Sequence, residues 1–160
     1  MNNIILCGFM GCGKTTVGKI IAKKTGRRFE DMDSLIEEKA GMSVSEIFEL
    51  HGEEGFRDLE HEVCAEIARQ HNLIVASGGG ALTFERNVEL FRGTDKIVLL
   101  DVPLSEISRR LQNDVTRPLL QRPDREEAMK RLYEQRMPLY LAAADIVVPG
   151  ESTQIGRAHV

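Results

Sequence analysis

The sequence predicts an α/β fold, with a parallel sheet covered on both faces by helices. Two observations carry that expectation. Short unbroken apolar runs, at Ile4-Ile5-Leu6, Leu73-Ile74-Val75-Ala76, Ile97-Val98-Leu99-Leu100 and Ile146-Val147-Val148, alternate with stretches of helical periodicity. Strands buried on both faces read as continuous apolar runs, and crossover helices are what bury them. The glycine-rich and acidic motifs also fall just after strands, where open parallel sheets bind ligands.

The first run leads into Gly8-Phe9-Met10-Gly11-Cys12-Gly13-Lys14-Thr15. This is the spacing of a phosphate-binding loop: glycine, four residues, glycine, lysine, then serine or threonine. Val17, Ile20, Ile21 and Ala22 follow at helical spacing, so the loop joins a strand to a helix, the context the motif requires. Glycines let the backbone turn its N–H groups onto an anion, and the helix N-terminus adds the positive end of its dipole. Lys14 is expected to reach the β- and γ-phosphates of a nucleotide, and the Thr15 hydroxyl to sit on Mg²⁺. The plain alternative is an ordinary glycine-rich turn, which the flanking strand and helix disfavour.

The first helix is expected over 14–25, capped by Gly26. A short strand at 28–30 ends in Asp31-Met32-Asp33, and 34–40 reads as a helix closed by Gly41. Ser43 and Glu46 have capping-box spacing ahead of Ile47, Phe48 and Leu50. A separate helix carries Phe56, Leu59, Val63, Cys64, Ile67 and Ala68 on one stripe. The run at 73–76 ends in Ser77-Gly78-Gly79-Gly80, and a short helix is expected over 84–91. After the run at 97–100, Leu104, Ile107 and Leu111 make a helical face. The segment 113–124 is polar, holds two prolines and is expected to be a mobile lid. A long helix over 125–143 precedes the last strand.

Composition narrows the function. At 160 residues with 42% hydrophobic residues, one globular domain over 1–155 is expected, followed by a tail at 156–160 without apolar periodicity. That tail reads as a truncation or a remnant foreign to the domain. A net charge of −4 gives no nucleic-acid footprint, and no apolar run approaches a membrane span of ~20 residues. Met1-Asn2-Asn3 enters the first strand directly, so no signal peptide is expected. Three cysteines without a CxxC pair read as free thiols of a reducing cytoplasm, and four histidines without HxxxH spacing do not indicate zinc. The expected partner is a small-molecule substrate, and the expected state a monomer.

Several side chains invite chemistry. Asp31 and Asp33 stand two apart, which in an extended segment puts both carboxylates on one side. One would hold Mg²⁺ through water and the other a substrate hydroxyl; a solvated acidic turn is the alternative. Arg57 and Glu60 share a helix face, either as a surface ion pair or with Arg57 at the core edge, suited to a substrate carboxylate. Gly78-Gly79-Gly80 suggests a ligand approaching backbone, against a flexible turn. Arg117, in the polar segment, would bring charge to a transferring phosphoryl group, or be merely solvated. Arg136 is ambiguous from spacing alone. Cys12, at a helix N-terminus beside Lys14, is expected either to be the reactive thiol or to fill space with its side chain turned inward.

Taken together, GFMGCGKTT, D-M-D at 31–33, F-R-D-L-E at 56–60, S-G-G-G at 77–80, R-P-L-L at 117–120 and R-M-P-L-Y at 136–140 resemble the shikimate kinases. The resemblance runs to about Gln154. It implies a nucleoside-monophosphate-kinase-like P-loop fold with five parallel strands. It also implies transfer of the ATP γ-phosphate to the 3-hydroxyl of shikimate, a step in aromatic amino acid (chorismate) biosynthesis. By the same likeness, Gly11, Cys12, Gly13, Lys14, Thr15 and Thr16 would surround the phosphates. Asp33 would orient the attacking hydroxyl, Arg57 and Arg136 would hold the carboxylate, and Gly79 would approach the substrate through its backbone. Asp31 would stand near Mg²⁺, Arg117 would come from the lid, and Arg110 and Gln154 would lie near adenine. Rival expectations are a kinase for gluconate or a nucleoside monophosphate, and a nucleotide-dependent switch or binding module. Against a GTPase switch, the chain has no Asn-Lys-x-Asp segment.

Overall fold

The computed structural model describes residues 2–112 and 122–150. Their elements run β1 (Ile4–Cys7), α1 (Lys14–Thr25), β2 (Arg28–Asp31), α2 (Met32–Ala40), α3 (Val44–Ala68), β3 (Leu73–Ala76), a 3-10 turn (Ala81–Thr83), α4 (Glu85–Phe91), β4 (Lys96–Asp101), α5 (Leu104–Arg110), α6 (Arg125–Ala143) and β5 (Ile146–Pro149). All pairings are parallel, in the order β2-β3-β1-β4-β5. Ile5 stands beside Val75 on one side and Ile97 on the other, so the phosphate loop leaves the central strand. Because β1 is flanked by β3 and β4, the strand order reverses there, and a crevice opens at the carboxyl ends. The P-loop α/β fold expected from the sequence is the fold found.

The core follows the apolar runs. Ile5, Leu6, Ile74, Val75 and Leu99 are fully buried, joined by Ile36, Ile47, Ile67, Phe91 and Tyr140 from the helices. The opposite end of the sheet is closed by Asn3. Its side-chain amide donates to the carbonyls of Ile67 and Gln70 at 3.0 Å each, and its side-chain oxygen accepts from the Leu73 N–H at 3.0 Å. Asn3 N–H donates to Asp95 at 2.8 Å. With that end tied down, the carboxyl ends of the strands are left for chemistry.

Helices α1 and α6 have the bounds expected from sequence, and Ser43 and Glu46 form a complete capping box. Two local expectations meet different outcomes. The separate helix expected for the stripe at 56–68 is present: the span α3 is two helical stretches joined at Gly52, whose φ of 69° and ψ of −178° are non-helical and which a side chain would resist. Asp31-Met32-Asp33, by contrast, is not extended. Asp31 ends β2 and caps α2, accepting from Ser34 N–H at 3.1 Å, so Asp33 already sits in the first helical turn. The cap starts the helix two residues earlier than the apolar pattern suggests.

Candidate active site

At the carboxyl end of β1 the chain must turn sharply into α1. Gly8, Gly11 and Gly13 do this with φ of 150°, 75° and 97°. A side chain at Gly8 would also collide with the Leu100 carbonyl, 2.9 Å from its Cβ position. Gly13 caps α1 with no side-chain acceptor among the described residues, leaving the first-turn N–H groups to an anion. Lys14 leans over the loop, its Nζ donating to the Gly8 carbonyl at 2.6 Å. Thr15 and Thr16 are exposed on the first turn. Cys12 is 1% exposed with its side chain in the core, so of its two readings the space-filling one holds. Cys7 and Cys64 are also buried, which pushes both thiols up to about 12.

A cleft of about 690 Å³ opens beside this loop, within the size range of ligand sites. Its wall includes Lys14, Thr15, Asp31, Asp33, Gly79 and Arg110. The two carboxylates therefore share the cleft, though a strand-to-helix junction brings them there rather than strand alternation. Desolvation by the cleft walls raises the Asp33 carboxyl above its ordinary value, and Asp31 adds to the rise. Lys14 and Arg57 pull it back down. Arg110 reaches the loop from α5, its Nη1 donating to the Gly11 carbonyl at 3.1 Å, and Glu106 holds its Nε at 3.1 Å.

The run 78–80 forms the facing wall. None of its glycines has a positive φ; they provide room. A Cβ at Gly78 would stand 2.8 Å from Asp33 Oδ1, one at Gly79 3.0 Å from Arg136 Nη1, and one at Gly80 2.7 Å from Arg57 Nη2. Three side chains from α2, α6 and α3 thus abut three successive residues. Arg57 is not the surface ion pair that its spacing with Glu60 allowed. Glu60 is 1% exposed and accepts Arg57 Nη1 on both oxygens, at 2.9 and 3.1 Å. Burial raises the Glu60 carboxyl, and Arg57 opposes the rise. The guanidinium also lies 5.2 and 5.0 Å from the ring centres of Phe56 and Phe84, and its Nε has no hydrogen-bond partner among the described residues. An arginine so fixed presents its fork to a planar anion.

Comparison with known proteins decides the family. A family model described as shikimate kinase matches residues 10–158. The chain belongs to the shikimate kinase family. A shikimate kinase of Sulfurihydrogenibium sp. is 46% identical over 143 residues, which are 89% of this chain and 85% of that protein. One from Nitrosomonas europaea is 43% identical over 158 residues, 99% of this chain and 74% of that protein. A solved shikimate kinase from Acinetobacter baumannii, in complex with shikimate, superposes with a TM-score of 0.91 at 37% identity, covering 99% of this chain and 89% of that one.

In this family member, then, one cleft gathers the phosphate loop, Asp31, Asp33, Gly79 and Arg110, with Arg57 and Arg136 set against the glycine run. Arg117, Gln154 and residues 113–121 of the expected lid lie outside the described residues. Two side chains at the site went unrecognised in the sequence. Glu60 is read correctly only once α3 is known to be buried along that face. Tyr140 donates its hydroxyl to the Gly79 carbonyl, and burial raises that hydroxyl to about 12, so it stays a donor. The available signal was its position one helical turn after Arg136.

Proposed function

We propose that this chain transfers the γ-phosphoryl group of ATP to the 3-hydroxyl of shikimate, giving shikimate 3-phosphate and ADP, as a cytoplasmic monomer working with Mg²⁺. The observation that carries this is the convergence of Asp33, Arg57 and Arg136 on one glycine run, across the cleft from Lys14 and Thr15. A polyhydroxy carboxylate needs both parts: cationic forks for its acid end and a carboxylate for its hydroxyls. The bound shikimate of the Acinetobacter baumannii relative supports that substrate here.

Arg57 and Arg136 hold the substrate carboxylate, with Glu60 fixing the first of them. Asp33 accepts the hydrogen of the attacking hydroxyl, and its raised carboxyl is the more willing base. Lys14 and the N–H groups at the head of α1 stabilise charge on the moving phosphoryl group. The Thr15 hydroxyl and the Asp31 carboxylate fit Mg²⁺. Both are hard oxygen donors, and the described residues hold no cluster of three or more His, Cys, Asp or Glu that would cage a metal without substrate phosphates. Bound there, the ion would neutralise phosphate charge. Among the described residues no helix is long and apolar enough to cross a membrane.

Incubation with Mg·ATP and, separately, shikimate, gluconate and a nucleoside monophosphate, read by ADP release, tests the proposal. Rapid release with shikimate alone is expected. Release with another acceptor would move the assignment to it, and slow hydrolysis indifferent to all three would favour a nucleotide switch.

A further inference from the structure

The glycine run is held by its carbonyls. Gly78 O accepts from Ala81 N–H at 3.3 Å, and Gly80 O from the Thr83 hydroxyl at 2.6 Å and its N–H at 3.2 Å. Those contacts are local and make the 3-10 turn. Two others come from outside it. The Tyr140 hydroxyl, from α6, donates to Gly79 O. The Asn87 side-chain amide, from α4, donates to Ala81 O at 2.8 Å. Asn87 is 1% exposed, and its remaining oxygen meets His61 Nδ1 of α3 at 2.7 Å. With its amide committed to Ala81, the Asn87 oxygen accepts, so His61 carries a proton on Nδ1. Buried polar side chains with every partner satisfied fix a unique local arrangement.

Tyr140 and Asn87 are each 1% exposed and spend their donors on the Gly79 and Ala81 carbonyls, so both work through the run rather than on a ligand. Both act on the backbone that Asp33, Arg136 and Arg57 press against. Arg136 and Tyr140 lie one turn apart on α6, so one helix sets both the arginine and the backbone it abuts. Asn87 does the same from the other end, where α4 packs on α3, the helix that carries Arg57 and Glu60.

We propose that Tyr140 and Asn87 are positioning residues that pin the 79–81 backbone, fixing the spacing of the two arginines and Asp33 that shikimate must span. This rests on the shikimate assignment above. A loosened run would leave the phosphate loop, on the other side of the cleft, untouched. Acid-substrate affinity should then fall while nucleotide affinity stays.

The test uses two variants of the full chain. Tyr140→Phe removes one hydroxyl and keeps the buried ring. Asn87→Asp keeps an acceptor for His61 and sets a carboxylate against the Ala81 carbonyl. Hydrogen exchange at the Ala81 and Thr83 amides, measured without ligands, should quicken in both. The KM for shikimate should rise about three- to tenfold, the scale of one lost hydrogen bond, with the KM for ATP within about twofold of the parent. If Asn87→Asp fails to fold, Tyr140→Phe decides alone. Unchanged amide exchange and unchanged shikimate KM in Tyr140→Phe overturn the proposal, as does an equal rise in both KM values, which marks general loosening. A parent enzyme inactive on shikimate would instead overturn the substrate assignment, and the ligand-free exchange measurement would still judge the pinning.

Discussion

Two glycine-rich loops face each other across the cleft, and they use glycine for different reasons. In the loop after β1, Gly8, Gly11 and Gly13 adopt positive φ, so the residue type is demanded by backbone shape. In the run after β3, Gly80 has an ordinary φ of −109°, and its neighbours likewise avoid positive φ. There the demand comes from Asp33, Arg136 and Arg57, which occupy the space that side chains would fill. The first loop makes its site with its own N–H groups. The second is a floor against which side chains from three helices are set. Labour should therefore divide, with nucleotide phosphates on one loop and the acid substrate on the other.

The largest effect should come from the acid between the loops. Asp33→Asn is expected to bind ATP nearly as the parent does and to lose about 10²–10⁴ in turnover, the scale of a missing general base. Because the Asp33 carboxyl is raised, turnover in the parent should fall with decreasing pH at values above the ordinary carboxylate range, as the base becomes protonated. A pH–rate profile checks this; equal losses of ATP binding and turnover in the variant would break the division.

Next come the arginines. Arg57→Ala and Arg136→Ala should weaken shikimate about ten- to a hundredfold by calorimetry and leave nucleotide binding alone, the cost of a charge-assisted bidentate contact. Arg57→Ala should also lower stability by about 3 kcal/mol, because it strands a buried carboxylate. The sign follows from Glu60, whose folded-state proton affinity is already raised. That stability is present at low pH and is lost as pH rises from the unfolded toward the folded Glu60 value. Adding Glu60→Gln should return much of the loss near neutral pH in thermal melts. A melt of Arg57→Ala that is independent of pH would count against this.

The smallest effect concerns Cys12. Its thiol, like those of Cys7 and Cys64, is buried, so alkylation of the native protein should be slow at all three, as mass spectrometry can show. Fast labelling of Cys12, blocked by Mg·ATP, would restore the reactive reading.

What the sequence made legible follows the same contrast. The phosphate loop could be read because its glycines, lysine and threonine have a fixed spacing set by backbone geometry, and because Ile4-Ile5-Leu6 and the α1 stripe supplied the context. Helices α1 and α6 could be bounded because Gly26 ends one and a polar, proline-bearing segment precedes the other. The functional pairing of Asp31 and Asp33 was visible, but its geometry was not: a capping hydrogen bond from Ser34 decides between strand and helix, and spacing does not register it. Glu60 looked like half of a surface pair, since burial of that face depends on α3 packing against the rest of the fold. The role of the glycine run was hidden for the same reason, its neighbours coming from positions 33, 57 and 136.

The most direct measurement of the division of labour is a crossed pair of titrations on Gly80→Ala and Gly13→Ala, with shikimate and with a nucleotide, by calorimetry. Gly80→Ala puts a methyl group 2.7 Å from the Arg57 guanidinium and pushes it against its Glu60 contacts, so the melting temperature should fall and shikimate should weaken about tenfold while nucleotide binds normally. Gly13→Ala forces a side chain to a φ of 97°, costing about 1–2 kcal/mol, and should weaken nucleotide while sparing shikimate. Parallel losses of both ligands in each variant, or the two patterns exchanged, would contradict it.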